Sequence, residues 1–204
     1  MEVYLIRHGK TKANERRAYC GRSDEPLSQL GQDEAKAIRY AIQPMQVYVS
    51  PLLRARQTAA ILFPQAEQLL VEDFREMDFG AFEGRSAAEM ANDPAYQQWL
   101  ADQCLSPCPE GEGMQDFCQR VQLAFRELVG LTKAKQEKRL AIVAHGGTIM
   151  AIMSRYGRPA QEYFHWFAPN CGGYKALLSD EAEPESLVLC EWEALIPAKP
   201  EQEN

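Results

Sequence analysis

Apolar and polar positions follow two different periods along this chain, and together they predict strands that alternate with helices. Continuous apolar runs at residues 1–6 and 140–144 are typical of buried strands in the centre of a sheet. Apolar positions three or four apart indicate amphipathic helices over residues 30–42 and 114–138. The same criteria predict further strands at 47–49, 68–71, 174–178 and 187–192, and further helices at 52–62, 87–92, 94–102 and 148–156.

This alternation predicts an α/β fold, specifically a three-layer α/β/α sandwich around a mostly parallel central sheet. Residues 74–118 differ from the rest because they are rich in glycine, proline and aromatic side chains. We expect them to form a small helical cap inserted into one domain that spans residues 1–204. Residues 197–204 are predicted to be a flexible tail.

Composition narrows the class of protein. With 46% hydrophobic and 25% charged residues, the chain is typical of soluble globular proteins. It contains no apolar stretch long enough for a membrane span and does not begin with the pattern of a signal peptide, so we expect a cytoplasmic protein without a membrane partner. A net charge of −7 argues against binding to nucleic acid. Six basic side chains within residues 1–22 nevertheless favour a small anionic ligand.

The six cysteines are scattered, and without an export signal we expect free thiols rather than disulfides. Cys104, Cys108 and Cys118 are spaced loosely and have no histidine nearby. A structural zinc site normally has four ligands at tighter spacing. We therefore predict no metal site.

Two of the three histidines occupy matching positions in the pattern. His8 and His145 each follow a predicted strand and precede a glycine, 137 residues apart. Ligands of open α/β sheets bind at the carboxyl ends of the strands. Arg7 could bind two phosphoryl oxygens through its planar guanidinium, and a histidine can attack a phosphorus centre. The pair therefore predicts chemistry on an anion. His165, in contrast, is interpreted as a packed surface or interface residue.

Two further segments supply groups for such a site. Residues 50–58 begin a helix at a strand end, a position that favours anions through free N–H groups. Arg54 and Arg56 are two residues apart and cannot share one helical face, so only one should point to the site. Residues 74–84 place several carboxylates among aromatic side chains, where a raised pKa would suit a general acid.

Together these motifs resemble the histidine phosphatase, or phosphoglycerate-mutase-like, superfamily, and the resemblance covers nearly the whole chain. It rests on Arg7-His8-Gly9 with Thr11 and Asn14, on residues 21–28 with Gly31, on residues 50–58, on residues 76–84 and on His145-Gly146-Gly147.

The resemblance implies a role for each matching residue. His8 would be the nucleophile that becomes phosphohistidine, and Glu76 would protonate the leaving oxygen. Asp78 and Glu83 lie close to Glu76 in sequence and stay open as assisting carboxylates. No cofactor and no metal are expected, because arginine and histidine supply the positive charge. The groups expected to contact the phosphoryl oxygens or the substrate are Arg7, Asn14, Gly21, Arg54, His145 and Gly146.

Within the superfamily, the chain looks more like phosphatases than mutases. Only Arg75 and Arg85 are basic among residues 74–118, so the predicted cap should not attract a second anionic group. Lys10 stands where many members carry glutamate, and its role is left open. The aromatic residues of the cap either cover a leaving group or pack the cap onto the sheet: Phe79, Phe82, Tyr96 and Trp99.

This segment resembles α-ribazole phosphatases and their broad-specificity relatives. It implies hydrolysis of a phosphomonoester, either α-ribazole 5′-phosphate or another small phosphorylated metabolite. A phosphoglycerate mutase and a sugar-bisphosphate phosphatase remain alternatives, as does a catalytically silent protein that binds phosphorylated ligands. The sequence makes no prediction of oligomeric state.

Overall fold

The computed structural model describes residues 1–179 and 187–197 of the chain. Short 3₁₀ helices cover Glu72–Phe74, Gly80–Phe82 and Tyr163–Trp166. The main elements in chain order are β1 Glu2–Arg7, α1 Lys12–Glu15, α2 Gln29–Ala37, β2 Gln46–Val49, α3 Leu53–Leu62, β3 Glu67–Leu70, α4 Pro94–Ala101, α5 Met114–Ala134, β4 Arg139–Ala144, α6 Gly146–Tyr156, β5 Gly173–Leu178 and β6 Leu189–Leu195.

The six strands form one mixed sheet in the order β3-β2-β4-β1-β5-β6. The pairings β3–β2, β2–β4 and β4–β1 are parallel, whereas β1–β5 and β5–β6 are antiparallel. The α/β class and the predicted final strand pair are therefore confirmed. The three-layer sandwich stays a prediction.

Apolar side chains cover both faces of the sheet. Along β1, Val3 and Leu5 belong to a buried cluster that includes side chains of α5 and α6. Tyr4 and Ile6 belong to a second cluster that includes side chains of α3. Because successive strand residues point to opposite faces, burial on both faces explains why β1 reads as a continuous apolar run.

Two predicted helices end earlier than their periodicity suggests. The helix predicted over residues 30–42 ends at Ala37, because Ile38 is extended and the Arg39 guanidinium donates to the carbonyl oxygens of Lys36 and Ile38. The helix predicted over 114–138 ends at Ala134. Gln136 then adopts a left-handed φ of 57°, and the Glu137 N–H donates to the Thr132 carbonyl, which closes the last turn.

The segment from 74 to 118 runs over one face of the sheet. Its predicted helix at 87–92 is wrong: the structure has turns there, and both the N–H and the hydroxyl of Ser86 donate to the Glu89 carboxylate. Tyr96 and Trp99 of α4 are buried, and they join the same cluster as side chains of α5. The role of residues 74–118 as a cap stays a prediction.

The predicted flexible tail lies outside the described residues, except for its first residue, 197. Among the residues that are described, no helix is both long and apolar enough to cross a membrane.

Candidate active site

Three neighbouring strand ends build the centre of the site. Arg7 at the end of β1 pairs with Ala144 at the end of β4, so His8 and His145 follow side by side. Their ring centroids lie 5.1 Å apart at an interplanar angle of 63°. β2 is the other neighbour of β4 and ends just before Ser50. The sheet thus brings together the two histidines that the sequence singled out.

His8 is held as a neutral imidazole with one free nitrogen. The side chain is only 3% exposed, and Nδ1 lies 2.6 Å from the carbonyl oxygen of Gly9. Because a carbonyl only accepts, Nδ1 carries the proton, which leaves a lone pair on Nε2. Burial, together with the nearby charges of Arg54 and Arg7, lowers the pKa of His8 well below its ordinary value. Nε2 is therefore available as a nucleophile at neutral pH.

Two arginines face the same region from different elements. Arg7 donates through Nη1 to the Ala168 carbonyl at 2.7 Å, and its guanidinium lies 5.5 Å from the ring centre of Phe167. Arg54 sits in the first turn of α3 and is 0% exposed, whereas Arg56 is exposed. The structure therefore buries one of the two helix arginines and exposes the other, and a role of Arg54 in the site stays a prediction.

Several buried nitrogens at this centre have no hydrogen-bond partner within the described part of the chain. They are Nε of Arg7, Nε of Arg54 and Nδ1 of His145. Buried polar groups in proteins are almost always paired. A bound oxyanion would supply acceptors for such nitrogens.

A loop of residues 20–23 holds the Arg54 guanidinium in place. Its Nη1 donates to the Ser23 carbonyl at 2.6 Å, and its Nη2 donates to the Cys20 and Gly21 carbonyls at 3.1 and 2.7 Å. The loop itself is fixed by Glu83, whose carboxylate accepts the N–H groups of residues 21–23, the Ser23 hydroxyl and the Phe79 N–H. Glu83 is thus fully occupied in holding this loop.

Glu76 lies beside the start of α6. Its Oε2 accepts the N–H of Gly147 at 3.0 Å, and its Oε1 accepts the N–H of Met77 at 3.1 Å. Burial raises the pKa of Glu76, although these two N–H groups and the charges of Arg54 and Arg7 act in the opposite direction. A buried carboxyl with a raised pKa is suited to act as a general acid near neutral pH. Asp78, in contrast, is engaged by Arg22 and by the N–H of Gly80.

Asn14 is positioned by its own helix and by a residue that the sequence reasoning missed. Its Oδ1 accepts the N–H of Thr11 at 3.1 Å and the side-chain amide of Asn170 at 3.3 Å. Asn170 also donates to the His8 carbonyl at 3.0 Å. With its oxygen engaged, Asn14 has only its amide N–H groups left to donate.

The two predicted glycine contacts have different surroundings. Gly146 opens α6 next to Arg7: a Cβ there would lie 3.5 Å from the guanidinium carbon. The N–H of Gly21 is already donated to Glu83, and its carbonyl already accepts from Arg54. A Cβ at Gly21 would lie 1.8 Å from the Met77 carbonyl oxygen, so the loop passes against the segment that carries Glu76.

A cavity of about 270 Å³ with a mostly apolar wall opens beside this centre. Arg7, His8, Asn14, Glu76 and Gly146 line it, whereas the buried Arg54 and His145 and the loop residue Gly21 do not. Phe164 and Phe167 line it and are 60% and 62% exposed, so aromatic side chains form its rim. The sequence reasoning missed both, although the aromatic run at residues 163–167 was a visible signal. The lining comprises Arg7, His8, Asn14, Ala18, Tyr19, Cys20, Glu76, Met77, Phe79, Trp99, Cys104, Met114, Gly146, Gly147, Met150, Tyr163, Phe164 and Phe167.

Two other candidate residues, Lys10 and His165, do not line this cavity either. Lys10 forms an ion pair with Glu34 of α2 at 2.6 Å, and His165 is exposed. Of the four cap aromatics, Phe79 and Trp99 line the cavity, while Phe82 and Tyr96 pack in the core. All six cysteines are unpaired, and the described residues contain no cluster of three or more potential metal ligands.

The α/β fold thus places buried arginine and histidine nitrogens at the ends of neighbouring strands, an arrangement suited to binding an oxyanion. The chain belongs to the histidine phosphatase superfamily (branch 1), whose family model matches residues 3–189. It is a phosphatase of this superfamily, and phosphatase names recur among its relatives.

Two curated relatives and one solved structure illustrate the similarity. A Hydrogenobacter thermophilus protein named "Putative phosphoserine phosphatase 2" is 35% identical over 74% of this chain and 76% of its own length. The adenosylcobalamin/alpha-ribazole phosphatase of Escherichia coli is 29% identical over 81% of this chain and 84% of its own length. The crystal structure of the alpha-ribazole phosphatase from Shigella flexneri superposes with a TM-score of 0.77 at 26% identity, covering 93% of this chain and 94% of that one. Relatives with phosphoglycerate mutase names match as well.

Proposed function

We propose that this protein hydrolyses small, aromatic phosphomonoesters through a phosphohistidine intermediate on His8, without a metal ion. The observation that carries the proposal is the set of three buried, unpaired nitrogens on Arg7, Arg54 and His145 around the free Nε2 of His8. A phosphoryl group offers oxygens to all three nitrogens and a phosphorus atom to Nε2.

In the first step, Nε2 of His8 attacks phosphorus, and the bond from phosphorus to the ester oxygen breaks. Glu76 gives its proton to that oxygen, so the product leaves as an alcohol. Arg7, Arg54 and His145 would stabilise the charge that spreads over the phosphoryl oxygens in flight, which is the main catalytic demand of phosphoryl transfer. Asn14 and the N–H of Gly146 would add contacts, and Gly21 would act through the loop that holds Arg54.

In the second step, water attacks phosphorus on the opposite side from Nε2. The Glu76 carboxylate takes a proton from that water, the bond between nitrogen and phosphorus breaks, and His8 returns to its neutral form. Orthophosphate then leaves. No step needs a metal ion, because the two arginines and His145 supply the charge stabilisation that a divalent cation supplies elsewhere.

The cavity wall supports an aromatic and uncharged leaving group. Apart from Arg7 and Glu76 at the reaction centre, the described residues that line the cavity carry no formal charge. Phosphoserine and 3-phosphoglycerate each bring a carboxylate that would be desolvated here without a cationic partner, which is costly. An aromatic base on a ribose phosphate, as in α-ribazole 5′-phosphate, would instead contact the rings of Phe79, Trp99 and Phe167. Residues 74–118 would act as the cap that supplies the first two of these rings.

A substrate panel tests this proposal. We expect phenyl phosphate and α-ribazole 5′-phosphate to be hydrolysed with a kcat/KM at least about tenfold above that of phosphoserine and 3-phosphoglycerate, because of the unpaired carboxylate. Activity should persist in excess chelator. A preference for the carboxylate-bearing substrates would overturn the substrate class, and loss of activity with chelator would overturn the metal-free mechanism.

The alternatives give different results in the same assays. A phosphoglycerate mutase would convert 3-phosphoglycerate to its isomer once a bisphosphate primer is added, whereas we expect no such conversion. A sugar-bisphosphate phosphatase would prefer a substrate with two phosphates. A silent phospholigand-binding protein would release no phosphate from any substrate.

The position of the Glu76 carboxyl can be tested through Gly147. A Cβ at Gly147 would lie 2.2 Å from Oε1 of Glu76 and 3.1 Å from Cζ of Phe117, so Gly147→Ala should displace the acid. We expect kcat on a substrate with a poor leaving group to fall by on the order of 10²-fold, since small misplacements of reacting groups are this costly. Steady-state kinetics at fixed pH would measure it.

Gly130→Ala is the matched control. Gly130 lies within α5, and a Cβ there would meet nothing within 4 Å. Alanine should leave kcat unchanged and increase the free energy of unfolding by up to about 1 kcal/mol, because it favours the helix. A Gly147→Ala protein with wild-type kcat would contradict the assignment of Glu76 as the acid.

A further inference from the structure

Ser50 contacts His145, the second histidine of the site. It follows β2, and its backbone N–H donates to the Val143 carbonyl at 3.0 Å, which fixes it beside the end of β4. Its Oγ lies 2.7 Å from Nε2 of His145, and both side chains are buried. This contact leaves open which of the two atoms carries the shared proton.

The hydrogen bonds that the Ser50 hydroxyl can form show which of the two atoms carries the shared proton. Its oxygen accepts the N–H of Leu52 at 3.4 Å. Among the residues that the structure describes, Nε2 of His145 is the one acceptor within reach of the hydroxyl proton. A buried hydroxyl that finds no acceptor is destabilising. Donation from Ser50 to Nε2 avoids this cost.

The opposite arrangement has two defects. If Nε2 donated to Ser50, the hydroxyl proton would have no acceptor within the described chain, and Nδ1 of His145 would present a lone pair. Nδ1 is one of the buried nitrogens without a partner, next to the place proposed for the phosphoryl group. A lone pair there would repel phosphoryl oxygens, whereas an N–H would donate to them. Burial and the charge of Arg54 also lower the pKa of His145 well below its ordinary value, so the ring carries a single proton.

We infer that Ser50 is a positioning residue that fixes the tautomer of His145. Its hydroxyl donates to Nε2, so the single ring proton stays on Nδ1 and is ready to be donated to a phosphoryl oxygen. The tautomer follows from the contacts of Ser50 alone, and only the donation to phosphate rests on the proposed function.

Nitrogen NMR of the ¹⁵N-histidine-labelled protein reads this tautomer directly. The chain has only three histidines, so His165→Gln and His145→Gln assign the spectrum by subtraction. We expect a protonated, pyrrole-type Nδ1 and an unprotonated, pyridine-type Nε2 for His145. A pyrrole-type Nε2 in the wild-type protein would overturn the inference, and this result does not depend on any activity or on the folding of a Ser50 variant.

Ser50→Ala then tests the cause. We expect His145 to show a mixture of the two tautomers and kcat to fall about tenfold, which corresponds to the net loss of one hydrogen bond. Inorganic phosphate, used as the probe, should shift the Nδ1 resonance less in the variant than in the wild type. An unchanged tautomer in Ser50→Ala would overturn the inference.

Thr132→Val is the matched control for the loss of a buried hydroxyl. Thr132 is buried near the end of α5, and its hydroxyl donates to the Leu128 carbonyl at 2.8 Å. Its removal should leave the His145 tautomer and kcat as in the wild type. If no phosphomonoester is turned over while the wild-type spectrum shows the expected tautomer, the proposed function fails and the role of Ser50 stands.

Discussion

Replacing His8 by alanine is expected to lower turnover of any phosphomonoester by on the order of 10⁴-fold or more, the scale on which enzymes lose activity with their nucleophile. The imidazole is neutral, its Nδ1 is committed to the Gly9 carbonyl, and its charged neighbours are Arg54 and Arg7. None of these neighbours offers a second nucleophile. Phosphate release with an aryl phosphate as substrate measures the effect.

His165→Ala is the control for this substitution. His165 is exposed and lies outside the cavity lining, so its loss should leave turnover unchanged. Circular dichroism of both variants would show that the fold is kept. If His8→Ala retained more than about a tenth of wild-type turnover, the nucleophile assignment would be wrong.

Glu76→Gln is expected to lower kcat by about 10²–10⁴-fold on substrates with poor leaving groups, the usual contribution of a general acid. The loss should be much smaller for 4-nitrophenyl phosphate, because that leaving group departs without protonation. The control substitution Glu110→Gln should change neither rate, since Glu110 is exposed and does not line the cavity. Equal losses for good and poor leaving groups would contradict the role of Glu76 as the acid.

The pH dependence of kcat/KM follows from the shifted pKa values of Glu76 and His8. Burial raises the pKa of Glu76, and the first step needs its protonated form, so kcat/KM should fall as the pH rises through that pKa. The same step needs neutral His8, whose pKa is lowered well below its ordinary value, so protonation of His8 reduces activity only at a more acidic pH. Glu76→Gln should remove the basic limb of the profile for the same substrate. Because both proteins act on the same substrate, the ionisation of the substrate contributes equally to the two profiles.

The sequence was sufficient to predict those features that depend only on neighbouring residues in the chain. The apolar runs of β1 and β4 end at the two histidines, and neighbouring parallel strands bring such ends together. The two-residue spacing of Arg54 and Arg56 predicted that one side chain turns inward, because helical geometry alone requires it. In the helix predicted over residues 30–42, in contrast, Ile42 is buried although it lies in the irregular segment that follows the end of the helix at Ala37. The spacing of apolar residues alone does not distinguish a helix from an irregular segment that buries an apolar side chain.

The parts that escaped prediction depend on contacts between residues distant in the chain. Asn170 reaches Asn14 and the His8 carbonyl across more than 150 positions. Glu83 resembled a possible acid in sequence, yet it accepts five different donor groups and holds the loop around Arg54. Phe164 and Phe167 enter the cavity rim because the chain between α6 and β5 returns across the site. A local pattern such as the aromatic run at residues 163–167 can mark such side chains, but it does not show which distant residues they contact.

The central claim is a covalent phosphohistidine on His8, and trapping it tests the claim most directly. Wild-type protein mixed with an aryl phosphate and quenched in alkali, where phosphohistidine is stable, should carry one phosphoryl group on the peptide that contains His8. Brief acid treatment should release it. A phosphoryl group on another residue, an acid-stable adduct, or no adduct on an enzyme shown to turn over under the same conditions would contradict the account.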